Sequence, residues 1–128
     1  MGLFSFLSDD GRFVSEEQYH ENLESQETKN ALVLGQLREN RIGPEAMKKL
    51  EYFFYTNTLE KASSLVNELQ KLGYEVGHDT APHAGQFVIN GWTDEMQISP
   101  EVVNGWSKKM IILGNQLDCY FDGWGTNV

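Results

Sequence analysis

The chain has 128 residues, the size of one domain, of which 40% are hydrophobic and 12% aromatic, so it can bury a core and is not a disordered chain. Nineteen acids against ten Lys and Arg give a formal net charge of −9, which opposes non-specific binding to nucleic acid or to an anionic membrane. The single cysteine, Cys119, excludes an intrachain disulfide and a cysteine-rich zinc site and fits a reducing, cytoplasmic home, and no apolar run approaches the roughly 20 residues that span a bilayer.

The chain opens on Met1-Gly2-Leu3-Phe4-Ser5-Phe6-Leu7. This stretch lacks a positive leader and is followed by Asp9-Asp10, so it does not read as a secretory signal. Phe6 occupies the position where myristoylation needs a hydroxyl. Packing of Phe4, Phe6 or Leu7 onto the domain, or disorder, is expected. Residues 8–27 carry seven acids against Arg12 alone. Residues 1–26 therefore read as an acidic arm and 27–128 as the folded domain. The arm serves either as a solubilising tail or as a surface that steers a basic partner.

Ala31, Leu34 and Leu37 recur at helical spacing and predict a first helix over about 28–41, ended by Gly43-Pro44. Pro44 to Lys49 has the composition for one more helical turn. Leu50 to Thr56 is dense in aromatics and predicts a central strand with apolar groups on both faces. Asn57-Thr58 then offers capping oxygens, with Glu60 placed as in a capping box. Leu59, Ala62, Leu65, Val66, Leu69 and Leu72 form the cleanest amphipathic stripe, closed by Gly73. Tyr74 to His78 alternates as a strand, Asp79 to Gly85 reads as a loop, and Gln86 to Thr93 reads as the next strand, antiparallel to the last. Ser99-Pro100-Glu101 is a strong helix start. Val102, Val103, Trp106, Met110, Leu113 and Leu117 give that helix its stripe. Cys119-Tyr120-Phe121 forms the last strand, and Asp122-Gly123-Trp124-Gly125-Thr126 follows it.

After the first helix the order is strand, helix, strand, strand, helix, strand. The fold class is α+β: a ferredoxin-like βαββαβ sandwich with a four-stranded antiparallel sheet, preceded by an extra N-terminal helix. Two helices cover one sheet face. The other face is wet, covered by the first helix, or offered to a partner, and cover by the first helix is the preferred reading.

The sequence offers little catalytic chemistry. It has no Gly-rich phosphate loop followed by Lys and no Gly-x-Ser-x-Gly turn. Cys119 borders a strand, where nothing depresses its pKa, and reads as a buried inert thiol. His78, Asp79 and His83 fall in one loop but match no strong metal pattern and leave a fourth ligand unnamed, so the loop reads as an ordinary hairpin, with no metal and no cofactor. Nineteen acids make any one carboxylate pair uninformative. The sandwich topology is shared with RNA-recognition modules. Those set their aromatics in a basic context, which is missing here, so direct RNA binding is rejected. Asp122-Gly123-Trp124-Gly125-Thr126 stands out. Two glycines beside a strand point to positive φ or close approach. Trp124 then either plugs the core edge or anchors a partner, with Asp122 as a charge for a basic surface.

Phe121-Asp122-Gly123-Trp124-Gly125-Thr126 resembles the terminal signature of the RraB family, regulators that inhibit ribonuclease E. Leu72-Gly73-Tyr74-Glu75-Val76 resembles the family's helix-to-strand junction, Glu27-Thr28-Lys29 through Arg41 its leading helix, and Ile42 to Phe54 the entry to its first strand. The resemblance covers roughly residues 26–126. It implies a ferredoxin-like sandwich without enzymatic activity. It also implies that the chain binds a ribonuclease as a protein, away from RNA chemistry, and changes its cleavage or its assembly into the degradosome.

The expected function is thus a non-catalytic, acidic, cytoplasmic protein that binds and restrains a ribonuclease. Contact is expected at Asp122 and Trp124, and secondarily at the hairpin acids Glu75 and Asp79. The same charge argument admits an immunity protein that neutralises a basic nuclease toxin. A dimeric-barrel enzyme using the His78/His83 loop is the third alternative.

Overall fold

The computed structural model describes residues 12–81 and 85–128. Readings that rest on Phe4, Phe6, Leu7 and His83 lie outside the described residues. In chain order the elements are α1 (Glu16–Glu39), β1 (Met47–Lys48), β2 (Glu51–Thr56), α2 (Leu59–Lys71), β3 (Glu75–Thr80), β4 (Phe87–Trp92), β5 (Met96–Gln97), α3 (Pro100–Gln116) and β6 (Tyr120–Gly125). The main sheet has four antiparallel strands in the order β3-β4-β2-β6, and β1 pairs with β5 in a small second sheet. The architecture is α+β.

The strand period of two sets the layers. β2 turns Tyr52, Phe54 and Thr56 inward, each fully buried, and turns Glu51, Phe53 and Tyr55 the other way. The inward groups meet Leu65 and Leu69 of α2 and Val103 and Met110 of α3 in one core with Ile89 and Phe121. Two close approaches fix its geometry. The Tyr52 hydroxyl donates to the Glu75 carbonyl across β4 (2.7 Å). The crossing passes over Gly91, where a Cβ would overlap the Glu75 carbonyl and stand 2.6 Å from Tyr52 Oη. At Gly114 a Cβ would meet the Cys119 carbonyl at 2.5 Å and the Phe54 ring at 2.9 Å, so α3 can lie this near the sheet only with glycine there.

Several boundaries differ from the sequence reading. The first helix begins at Glu16, not near Thr28, so residues 16–27 of the acidic segment are helical. Ser15 caps it in a full capping box: its hydroxyl accepts from the Gln18 N–H and the Gln18 side chain accepts from the Ser15 N–H. Pro44 to Lys49 forms no helical turn; Met47 and Lys48 pair with Met96 and Gln97 instead. The second helix is capped by Thr58, whose hydroxyl accepts from the Lys61 N–H, and not by Asn57. Asp79 and Thr80 belong to β3. The last strand runs on through Gly125, so the Asp-Gly-Trp-Gly run is part of the sheet.

Helix α1 does not cover the free sheet face. It lies against α3 and meets the sheet along β6. The first half of its buried side is polar: Asn22, Gln26 and Asn30, followed by Leu34 and Leu37. That half carries no apolar stripe, which is why periodicity missed it.

Asp118 clamps the start of α1 to the core. It sits just after α3 at φ +59, a left-handed conformation that Asp and Asn tolerate better than most residues. Its carboxylate accepts from the Phe13 N–H (2.7 Å), the Val14 N–H (2.8 Å) and Lys61 Nζ (2.6 Å), with the Arg12 guanidinium 3.5 Å away. Burial alone would push this carboxyl up. Lys61, the two backbone N–H groups and Arg12 outweigh it and hold its pKa below the ordinary 3.8.

Asn at position 118 keeps the backbone conformation and removes the charge. Asp118→Asn is expected to cost about 2 kcal/mol at neutral pH, because the part-buried Lys61 ammonium keeps Asn57 Oδ1 but loses its carboxylate; urea unfolding measures this. Because the folded pKa is depressed, the clamp's contribution is complete above the unfolded value and disappears as pH falls through the folded one. The stability gap between wild type and Asp118→Asn therefore closes at acid pH.

A candidate protein-binding face

The outward side chains of the four strands form a grid fixed by register. One row is Glu75, Trp92, Glu51 and Gly125. The next is Gly77, Asn90, Phe53 and Gly123. The third is Asp79, Val88, Tyr55 and Tyr120. Phe53, Tyr55, Trp92 and Tyr120 are all part-exposed, and none belongs to the buried cluster beneath. Four aromatic rings thus lie on a face that none of the described helices packs across.

Carboxylates edge this surface. Glu75 and Asp79 are exposed on the edge strand β3, and Glu51 is part-exposed on β2. Asp122 joins them through a β-bulge. The register between β2 and β6 shifts at Phe53/Phe54, which gives β6 an extra residue there. Gly123 takes φ +124 at the bulge, a conformation open to glycine and strained for other residues. Exposed Asp122 lines a shallow cavity of about 280 Å³ together with Phe13, Gln18, Tyr55, Gln86 and Tyr120. Partial burial raises the Asp122 pKa, opposed by Lys29 of α1. Burial raises the Tyr120 phenol too, reinforced by Asp122 and Glu21. At the opposite end Lys49 Nζ lies 3.8 Å from Glu75 Oε1.

Of the residues singled out from sequence, Glu75, Asp79 and Asp122 therefore share one face. Trp124 does not. It points into the core, 9% exposed, and its indole N–H donates to Asn30 Oδ1 (2.7 Å). Asn30 in turn donates to Asn104 Oδ1 and Ser107 Oγ (2.9 Å each) and accepts from Gln26 Nε2 (3.0 Å). Asn22 Nδ2 donates to the Phe121 carbonyl (2.8 Å). Trp124 is the edge plug of the two alternatives, and it fixes the strand that displays Asp122. Periodicity did not single out Trp92, Tyr120 or Glu51, because their shared face emerges only from strand pairing.

The remaining sites carry less. Cys119 is buried, and burial pushes its thiol up to about 11, far from a reactive thiolate at neutral pH. His78 and Asp79 lie on opposite faces of β3, since His78 pairs with the inward Ile89 and Asp79 with the outward Val88. Among the described residues no group of three His, Cys, Asp or Glu is placed to hold a metal ion. None of the described helices is long and apolar enough to cross a membrane. A groove between the α2–β3 turn, β5 and α3 is lined by Leu72, Tyr74, Met96, Trp106, Met110 and Leu113, with Glu101 and Lys109 beside them.

Comparison with known proteins gives one consistent result. Residues 27–126 match the model of a family described as Regulator of ribonuclease activity B. A protein of that name from Photobacterium profundum is 28% identical over 114 residues, covering 84% of each chain. Its namesake from Escherichia coli is 28% identical over 109 residues, 83% of this chain and 79% of the relative. The Sodalis glossinidius protein of the same name is 24% identical over 110 residues, 84% and 75% of the two chains.

The plug role of Trp124 predicts strong coupling to Asn30. Trp124→Phe and Asn30→Ala are each expected to lower stability by about 1–2 kcal/mol. The double variant should lose less than the sum, by about 1 kcal/mol, in chemical unfolding.

Proposed function

Because the chain belongs to the Regulator of ribonuclease activity B family, we propose that it restrains a ribonuclease by docking on the enzyme as a protein, without turning over a substrate. The open sheet face is the docking surface. The observation that carries this reading is the grid of Phe53, Tyr55, Trp92 and Tyr120 edged by Glu51, Glu75, Asp79 and Asp122. Part-exposed aromatics supply the apolar contact area that protein interfaces favour. The carboxylates repel RNA phosphates and attract a basic protein surface. The exposed acids of α1, Glu16, Glu17, Glu21, Glu24 and Glu27, extend the same field.

The strand order β3-β4-β2-β6 supports a ferredoxin-like sandwich to which α1 is added at the front. RNA-recognition modules place aromatics on the sheet of such a sandwich within basic surroundings. Here the surroundings are acidic, so the natural ligand is the cationic protein that holds RNA. A ribonuclease of the ribonuclease E type, acting in the cytoplasm, is the partner this reading assigns.

Isothermal titration of the full chain against that ribonuclease at low and moderate salt tests the proposal. Binding is expected to weaken with salt. The charge reversal Asp79→Lys with Asp122→Lys should weaken it at least tenfold, and Tyr55→Ala at least fivefold. Variants that keep the wild-type melting temperature and still bind and inhibit as wild type would show that another surface is used.

A further inference from the structure

The chemistry of the grid narrows the ligand beyond a basic surface, and this step rests on the docking reading above. Trp92 lies between Glu75 and Glu51 in one row. Tyr55 and Tyr120 lie side by side in another, with Asp122 in the same cavity, while Asp79 closes that row two strands away beyond Val88. Neighbouring strands stand about 4.8 Å apart. A ring and a carboxylate in adjacent columns can therefore reach one bound cation. A guanidinium suits this pair. Its flat face stacks on the ring while its in-plane N–H groups donate to the carboxylate, two to a carboxylate in the best case. An ammonium is a point charge and loses the stacking and the fork.

The two aromatic–acid rows are four residues apart along β2, Glu51 against Tyr55, which is about 13 Å at strand rise. An extended peptide laid along the strands places residues i and i+4 at that separation with both side chains on one side. The row between them holds Phe53 and Asn90 flanked by Gly77 and Gly123, which leaves room for a small or apolar side chain at i+2. Cations oppose ligand charge at the margins: Lys48 and Lys49 line a pocket with Trp92 and Glu75, balanced there by Glu95, and Lys29 lies toward Asp122. Lys49 is already paired with Glu75, and Glu51 and Asp79 add further negative charge to the face.

We infer that the open sheet face binds an extended, arginine-bearing segment of its partner. The two arginines lie four residues apart, one guanidinium on Trp92 between Glu75 and Glu51, the other on Tyr55 and Tyr120 against Asp122.

Fluorescence anisotropy of labelled nine-residue peptides against the full chain tests this. One peptide carries Arg at two positions four apart in a Ser/Gly background, the second carries Lys at the same positions, and the third carries the two Arg side by side. The spaced Arg peptide should bind at least fivefold tighter than either of the others. Trp92→Ala and Tyr55→Ala should each remove most of that preference. Glu51→Gln and Glu75→Gln, which keep side-chain shape, should weaken the spaced Arg peptide more than the Lys peptide. Equal affinity for the Arg and Lys peptides overturns the inference, as does a preference that survives both aromatic variants. If the chain binds the ribonuclease but shows no Arg preference, the guanidinium assignment fails and the docking reading stands. An Arg preference without ribonuclease binding gives the reverse.

Discussion

Side chains of β2 alternate between two sides, and the described chain supplies one layer of helices to receive them. Tyr52, Phe54 and Thr56 take that layer and are sealed within it. Glu51, Phe53 and Tyr55 are left on the other side. Both crossover helices, α2 and α3, pack on the same face, and α1 extends that layer past β6. A buried central strand with aromatics on both sides normally needs cover on both. Here the second side stays partly in water, and its rings are available to another molecule. The acids around this apolar patch give it a negative field.

What could be read from sequence divides along physical lines. Helix α2 and the start of α3 were legible because their signals are local: an apolar stripe in one case, Ser99-Pro100 in the other. The first half of α1 was not, because its buried face is Asn22, Gln26 and Asn30 and carries no apolar period. The Asp-Gly-Trp-Gly run reads as an exit from the sheet because glycine is poor in strands. Its first glycine instead sits at a bulge that lets Asp122 and Trp124 face different surroundings within one strand. Glu75, Asp79 and Asp122 were singled out from charge and motif. Their union with Trp92, Tyr55 and Tyr120 depended on a register no linear pattern contains.

The seam between α1 and the body is made of amides where leucines would be ordinary. Asn30 collects Trp124, Gln26, Asn104 and Ser107. Hydrogen bonds have direction, so a shift of α1 along α3 would break several at once, whereas apolar contacts tolerate sliding. Such a seam contributes modest net stability and a definite position. Position matters here, since α1 carries Glu21 and Lys29 beside the corner of the open face. The Asp118 clamp holds the first turn of the same helix from below.

These seam and clamp contacts join the front of the chain to its end. Val14 meets Asp118, Asn22 meets Phe121 and Asn30 meets Trp124, each across 94 to 104 residues. During synthesis, α1 leaves the ribosome before β6 and waits for that strand to complete its seam. Contacts this distant in sequence slow folding. Meanwhile the growing chain holds an acidic helix whose first half is amide-lined, and that half has little tendency to stick to hydrophobic neighbours. A helix lined by leucine along its whole length would expose an adhesive stripe until β6 was made.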